Sequence, residues 1–152
     1  MDFVADKLAD GRRFRALTIL DLFTRECLAI EVDTSLGGVR VVRVLEELKQ
    51  TRGLPRQIRS DNGPEFVSRA VDQWAYEQGL QWHTIQAGRP MENGYVESFN
   101  GRFRDECLNE NWFRDLADAR EDRGMEAGLQ RKASAPRMWG EQKTEKVSLS
   151  VD

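Results

Sequence analysis

The chain has 152 residues and a mass of 17.5 kDa, a length that predicts one domain with a sizeable core. No apolar run approaches the roughly 20 residues of a membrane span, and no signal peptide is visible. Two widely separated cysteines, Cys27 and Cys107, exclude a disulfide scaffold and predict a protein of the reducing cytoplasm. The net charge of −3 lacks the basic footprint of a dedicated nucleic-acid binder, so any contact with DNA requires a local patch or a companion domain.

The first part of the chain predicts an antiparallel meander. Apolar residues there alternate or run together in short segments separated by turn residues, which is typical of strands. The segments are residues 2–8, 14–21 and 27–32. Their connections are short, and short connections favour neighbouring antiparallel strands.

Helices and strands alternate after the meander. A first helix, which Ser35 can cap, ends at Gly53; a second, which includes Val67, stops at Gly79; a third runs from about Gly94 to Asn109. The order βββαβαβα predicts an α/β fold with a mixed five-stranded sheet flanked by helices. The two later strands and the loop before the third helix are residues 57–60, 80–85 and 86–93.

Three carboxylates stand at positions that suit a metal site. Asp2 lies on the first strand, Asp61 ends the fourth, and Glu97 lies on the third helix, where a polar stripe meets an apolar one. In open α/β sheets, sites gather at the carboxyl ends of strands, near the point where strand order reverses. Hard oxygen ligands suit Mg²⁺, and two such ions about 3.5–4 Å apart can activate a water or hydroxyl and stabilise the leaving oxygen in phosphoryl transfer.

The sequence around these carboxylates resembles the catalytic core of an insertion-sequence transposase of the DDE type, with a retroviral-integrase-like, ribonuclease H-like fold. The resemblance covers roughly residues 1–119, and the Asp61 and Glu97 blocks lie 36 positions apart. It implies that Asp2, Asp61 and Glu97 bind two Mg²⁺ or Mn²⁺ ions. It also implies cleavage at the donor end of the element and strand transfer into target DNA. The matching blocks are MDFVADKL, RFRALTILDLFTRECLAIEV, IRSDNGPEFVS, WAYEQG and GRPMENGYVESFNGRFRDECLNENWF.

The resemblance also implies partners. We expect the chain to bind element-end and target DNA, to form homo-oligomers with transposase subunits, and not to enter a membrane. Arg104, two turns beyond Glu97, is expected to hold a phosphate, with a plain solvated arginine as the alternative. The predicted DNA-binding residues are Arg104, Arg89, Arg102, Asn93 and Asn100, the two asparagines being equally able to support the site or to cap and solvate the helix.

Both ends of the sequence depart from the family. Asp2 directly follows Met1, and the helix-turn-helix region found upstream in the family is missing, so we expect a loosened Asp2 and no autonomous DNA recognition. Residues 120–152 are predicted to be a disordered, non-family tail, because from Glu121 they hold six acidic and six basic residues without an apolar period. Residues 121–137 can be back-translated so that a shifted frame encodes a family-like Trp, Tyr and Arg-Pro-His ending. Out-of-frame translation after about Arg120 is therefore our hypothesis.

Two other functions stay open. A non-catalytic remnant would at most bind DNA or full-length transposase subunits, and the altered ends favour it. A ribonuclease H-like nuclease acting on RNA–DNA hybrids or branched DNA would use the same carboxylates. The remaining acidic residues near strand ends, Asp6, Asp21 and Glu65, are predicted to be surface or turn residues.

Overall fold

The computed structural model describes residues 1–86 and 94–121. Its strands match the predicted ranges to within one residue at each end, because the alternation of apolar and polar residues marks them clearly. A π-helical turn and a short fourth helix were not expected. The elements are β1 (Asp2–Lys7), β2 (Arg13–Leu20), β3 (Cys27–Asp33), α1 (Gly38–Arg52), β4 (Gln57–Ser60), α2 (Arg69–Glu77), β5 (Gln81–Thr84), α3 (Gly94–Phe103), the π-helical turn (Arg104–Leu108) and α4 (Leu116–Glu121).

The prediction of one continuous five-stranded sheet is wrong. In the described part of the chain, β1, β2 and β3 form one antiparallel sheet with β2 in the centre, and β4 and β5 form a separate parallel pair. The Met1 ammonium donates a hydrogen bond to the Arg59 carbonyl oxygen at 2.7 Å, which links the start of β1 to β4. A single hydrogen bond at the first residue does not make a ladder, so the two sheets stay distinct.

The three-stranded sheet is covered on both faces. On β2, Phe14, Ala16 and Leu20 pack against the apolar stripe of α3, and we call this side the α3 face. Leu17 and Ile19 point to the opposite side, the α1 face, which packs against α1, α2 and β4. The result is a layered α/β/α arrangement. The predicted apolar stripe consists of Val96, Phe99 and Phe103 on α3 and Cys107 in the π-helical turn, all buried.

Two helix starts differ from expectation. Helix α1 begins after Gly37 rather than Ser35, and no side chain caps it. Helix α2 begins after Ser68, whose hydroxyl accepts from the Val71 amide at 3.4 Å, so Val67 lies outside the helix. At Gly38 a Cβ atom would lie 2.6 Å from the Ser68 Cβ, which shows how closely the two helix starts approach.

Helix α3 also ends earlier than predicted. Regular α-helix stops at Phe103, and the amide of Asn109 bonds the carbonyl of Arg104 at 2.8 Å, an i to i+5 pattern that widens the last turn. Helix α4 then docks on β3, where the Arg120 Nε donates to the Val32 carbonyl oxygen at 2.9 Å. The predicted core boundary at residue 119 therefore falls inside α4.

Some predictions lie outside the described residues. Arg89 and Asn93 fall in residues 87–93, and the predicted tail falls in residues 122–152 apart from its first two positions. None of the helices within residues 1–86 and 94–121 is both long and apolar enough to span a membrane.

Candidate active site

Asp2 is the first residue of β1 and lies directly opposite Thr18 on β2. Both oxygens of its half-buried carboxylate accept hydrogen bonds. The Phe3 amide donates to Oδ1 at 2.7 Å, and the Asn100 side-chain amide donates to Oδ2 at 3.0 Å. The carboxylate is therefore held in one orientation, in contrast to the loosened Asp2 that we expected.

A short relay of hydrogen bonds fixes Asn100 in turn. The Thr18 hydroxyl donates to the Asn100 Oδ1 at 2.8 Å, and this oxygen position leaves the amide nitrogen facing Asp2. Thr18 has no exposed surface, so its hydroxyl needs an internal partner. Because Asn100 lies one turn after Glu97 on α3, the relay ties this helix to the start of β1.

Asp61 follows the last residue of β4, as predicted. Its Oδ1 accepts from the Gly63 amide at 3.1 Å, an Asx-type contact that turns the chain sharply after the strand. The strand end is itself fixed, because the Trp82 indole donates to the Ser60 hydroxyl at 2.9 Å and Ser60 is fully buried. A Cβ at Gly63 would lie 3.1 Å from the Asp61 Oδ1, so the turn has little room for a side chain there.

Asp2 and Asp61 are electrostatically coupled. Burial raises the pKa of Asp2, and the charge of Asp61 adds to this, whereas the hydrogen bonds from Phe3 and Asn100 act in the opposite direction. Burial lowers the pKa of the Met1 ammonium to about 6, and the charges of Asp2 and Asp61 oppose that shift. The Asp2 carboxylate is thus partly desolvated and within electrostatic range of a second negative charge, and both conditions favour binding of a cation.

Glu97 lies in the first turn of α3 and is exposed. The start of this helix is attached to the turn between β2 and β3, where the Tyr95 hydroxyl donates to the Arg25 carbonyl oxygen at 2.9 Å. The Arg25 guanidinium also lies 4.3 Å from the centre of the Tyr95 ring. In residues 1–86 and 94–121 no three acidic, cysteine or histidine side chains gather closely enough to hold a metal ion, so Glu97 does not join the two aspartates in a closed group.

The predicted DNA-binding residues have different surroundings. The half-buried Arg104 donates to the Ala5 carbonyl oxygen at 2.8 Å, on the outer strand of the sheet. Arg102 is exposed in the last turn of α3. The Asn100 side chain is hydrogen-bonded to Thr18 and Asp2, so its amide contacts the Asp2 carboxylate rather than solvent.

Sequence reasoning missed an ion pair next to Asp61. Glu65, predicted to be a surface or turn residue, has a side chain that is 15% exposed and pairs with the Arg15 guanidinium. The hydrogen bond from Arg15 lowers the pKa of Glu65. The available signal was the register of β2, because Arg15 has the same parity as the buried Leu17 and Ile19, and a charge at an inward position needs a partner.

The donor set fits a divalent metal ion in its chemistry. Asp2 and Asp61 supply hard carboxylate oxygens, the kind of ligand that Mg²⁺ and Mn²⁺ take. The neighbouring Asn100 amide orients one of these carboxylates from outside, as supporting groups around metal ligands do. Glu97 lies on the helix that Asn100 links to Asp2.

The fold and the placement of Asp2, Asp61 and Glu97 on it are those expected of an integrase core domain. Two family models agree with this class, both described as integrase core domain, and they match residues 1–90 and 78–122. The first covers more than half of the chain. The chain belongs to the integrase core domain family, and the resemblance stated from its motifs is confirmed at that level.

Proteins of bacterial insertion elements are similar to this chain. The IS407 uncharacterized 31.7 kDa protein of Burkholderia multivorans is 54% identical over 120 residues, 79% of this chain and 43% of the relative. The IS476 uncharacterized 39.2 kDa protein of Xanthomonas euvesicatoria is 53% identical over 121 residues, 80% of this chain and 35% of the relative. The chain thus spans less than half the length of these relatives.

A retroviral structure shares the fold. The HTLV-2 integrase catalytic core domain, solved in complex with magnesium in a trimeric form, superposes with a TM-score of 0.58 at 18% identity. The match covers 87% of this chain and 80% of the retroviral chain. At this level of identity the likeness establishes the architecture, which is that of an integrase catalytic core.

Proposed function

We propose that the chain is the catalytic core of an insertion-sequence transposase that cleaves DNA and transfers strands by metal-dependent phosphoryl transfer. The observation that carries the proposal is the Asp2 carboxylate, held by Phe3 and Asn100 within electrostatic range of Asp61. An excess of negative charge at a half-buried position favours a cation there. The insertion-element relatives support transposition rather than another use of the same fold.

Each side chain has a role in this proposal. Asp2, Asp61 and Glu97 hold two Mg²⁺ or Mn²⁺ ions, which supply activation of the attacking oxygen and stabilisation of the leaving oxygen. Asn100 keeps one Asp2 oxygen oriented while the ligand set forms. Glu97 completes the set from the first turn of α3, where its exposure lets DNA reach it.

DNA is the proposed partner, held mainly through its phosphates. Arg102 and Arg104 lie downstream of Glu97, and Arg89 precedes it in the sequence. Contacts to phosphates position the duplex without reading its sequence and weaken as salt rises. Element-end recognition is assigned to another region of the transposase. The HTLV-2 core in its trimeric form supports the proposal that this core also works as a homo-oligomer. The proposed location is the cytoplasm.

Nicking of supercoiled plasmid DNA in Mn²⁺ tests the proposal without knowledge of the element ends. We expect nicking by the unchanged chain and a loss of about a hundredfold or more in Asp61→Asn, because a metal ligand is removed. Asp72→Asn is the matched control, since Asp72 is an exposed aspartate on α2. Equal rates in Asp61→Asn and Asp72→Asn would contradict the proposal.

A second candidate function is a non-catalytic DNA- or subunit-binding core. One observation favours it: the described carboxylates do not gather in a group of three. This candidate predicts salt-sensitive DNA binding by the unchanged chain with no nicking in Mn²⁺ or Mg²⁺. Nicking that Asp61→Asn abolishes would exclude it.

A further inference from the structure

The two aspartates of the proposed site belong to different sheets. Asp2 opens β1 of the three-stranded sheet, whereas Asp61 follows β4 of the parallel pair. Their separation is therefore not set by a common hydrogen-bond ladder. The hydrogen bond from Met1 to the Arg59 carbonyl oxygen links the two strands at one point, and side-chain contacts between β1 and the turn after Asp61 add further links.

Such contacts are concentrated in four side chains, which we call the clasp: Phe3, Arg15, Glu65 and Phe66. Phe3, next to Asp2, stacks on Phe66 with ring centres 4.9 Å apart and an angle of 26°. The Arg15 guanidinium lies 4.1 Å from the centre of the Phe3 ring and pairs with Glu65. Phe3 and Phe66 thus join the three-stranded sheet to the turn after Asp61 by aromatic stacking. Arg15 and Glu65 join them by an ion pair.

The position of Arg15 follows from the register of the sheet. Phe3 lies opposite Leu17, so Arg15 is the diagonal neighbour of Phe3 on the α1 face. From there the guanidinium contacts the aromatic ring and the Glu65 carboxylate together. Both are contacts in which arginine is favoured over lysine, because its planar group stacks and forms directed hydrogen bonds.

The turn after Asp61 transmits these contacts to the carboxylate. The Phe66 amide bonds the Gly63 carbonyl oxygen at 3.0 Å, and the Gly63 amide bonds the Asp61 Oδ1 at 3.1 Å. A Cβ at Gly63 would also lie 3.2 Å from the Glu65 Oε2. Movement of Glu65 or Phe66 therefore displaces the groups that hold Asp61.

We propose that the clasp formed by Arg15, Glu65, Phe3 and Phe66 sets the separation of Asp2 and Asp61, with Arg15 as a positioning residue for the metal site. The proposal rests on the proposed function for the identity of the ligand, Mn²⁺ or Mg²⁺. The geometric part, that Arg15 orders the turn after Asp61, stands without any metal.

Isothermal titration of the full chain with Mn²⁺ provides the first test. Arg15→Leu is expected to weaken Mn²⁺ binding about tenfold, the usual cost of losing a group that orients a ligand. Arg40→Leu is the matched control: Arg40 pairs with Glu31 at nearly the same side-chain exposure, 32% against 33% for Arg15, but contacts neither aspartate. It is expected to change Mn²⁺ affinity less than about twofold. Equal affinities in the two variants would overturn the proposal.

Hydrogen exchange without metal provides the second test. The Phe66 amide is expected to exchange faster in Arg15→Leu than in Arg40→Leu, because the turn loses its attachment to β2. Unchanged Phe66 exchange would overturn the proposal. If Arg15→Leu does not fold, Arg15→Lys, which keeps the charge but not the planar contacts, takes its place with an expected loss of about threefold in affinity. Affinity in Arg15→Lys equal to the unchanged chain would overturn it as well.

The unchanged chain and Asp61→Asn are titrated in the same series. If the unchanged chain binds no Mn²⁺, or if Asp61→Asn binds it equally well, the proposed function fails, and the exchange of Phe66 still decides the geometric part. If Mn²⁺ binds and Asp61→Asn abolishes binding, equal binding by Arg15→Leu and Arg40→Leu refutes the clasp alone.

Discussion

The two faces of the three-stranded sheet support the candidate site in different ways. On the α3 face, the relay from Thr18 through Asn100 to Asp2 consists of hydrogen bonds from neutral donors beneath a helix. On the α1 face, the attachment to the turn after Asp61 is an ion pair combined with aromatic stacking. One aspartate is therefore held by neutral polar groups and the other by charged and aromatic ones.

Because of this difference, the two halves of the site are expected to respond differently to salt and pH. The hydrogen bond from Thr18 to Asn100 does not depend on ionic strength or pH, since neither side chain titrates, whereas the bond from Asn100 to Asp2 changes when the Asp2 carboxylate, whose pKa is raised by burial, is protonated. An ion pair weakens as salt rises and is lost when its carboxylate is protonated. We therefore expect the Asp61 half to be the more sensitive one to salt.

Removal of a core side chain from the α3 face has the largest expected effect. Phe103→Ala is expected to lower the free energy of unfolding by about 3–5 kcal/mol, because Phe103, the last residue of α3, is fully buried where this helix packs on the sheet. Chemical denaturation measures it. Phe23→Ala is the control, since Phe23 is 68% exposed. Equal costs for the two variants would contradict the packing of α3 on the sheet.

The next largest effect is expected on the α1 face. Gly38→Ala is expected to cost about 1–3 kcal/mol, because its Cβ would lie 2.6 Å from the Ser68 Cβ and the two helix starts must separate. Gly101→Ala is the matched control on α3, where a Cβ meets nothing within 4 Å. That variant is expected to stabilise the protein by about 0.5–1 kcal/mol, as alanine does in a helix. Denaturation curves showing the same sign for both would refute the close approach.

Breaking the relay tests the α3 half of the site. Asn100→Ala is expected to cost about 1–2 kcal/mol, because the buried Thr18 hydroxyl loses its nearest acceptor. It is also expected to weaken Mn²⁺ binding about tenfold, since Asp2 loses an orienting donor. Asn109→Ala, at an exposed position after the π-helical turn, is the control for both measurements. A change in stability without a change in Mn²⁺ affinity would limit Asn100 to a structural role.

The smallest effect is a pH dependence of the α1 half. The pKa of Glu65 is lowered by Arg15, so the ion pair stabilises the fold above the unfolded pKa of about 4.5 and is lost as the pH falls through the lower folded value. We expect Glu65→Gln to be less stable than the unchanged chain by about 1 kcal/mol at pH 7. Thermal melts from pH 7 to pH 3 should show this difference disappearing, and a constant difference would contradict it.

Much of the fold follows from local pattern. The five strands were predicted because the spacing of apolar residues and the turn signals between them are local properties of the chain. The start of α1 was not predicted correctly, because Ser35 is a good capping residue by type, yet the helix begins after Gly37, where Gly38 approaches Ser68 of the distant α2 start. The π-helical turn after Phe103 likewise has no local signal in the sequence.

The site was only partly accessible to sequence reasoning. Asp61 was predicted as a site residue because it ends a strand inside a distinctive block, and Asp2 was predicted through the resemblance of its flanking residues. The break between the two sheets and the pairing of Arg15 with Glu65 depend on residues about 50 positions apart. Contacts at such separations depend on the register of β2 and on the turn after β4 together, which periodicity within one segment does not specify.

The central claim is that Asp2 and Asp61 together form a cation site on a folded core. Thermal unfolding of the chain and of Asp61→Asn over a Mn²⁺ titration tests it most directly. At a Mn²⁺ concentration 100-fold above the dissociation constant, the unchanged chain should gain about 2.7 kcal/mol, or roughly 5–10 °C in Tm. Asp61→Asn should melt cooperatively without that shift. The absence of a shift in the unchanged chain, or an equal shift in both proteins, would contradict the account.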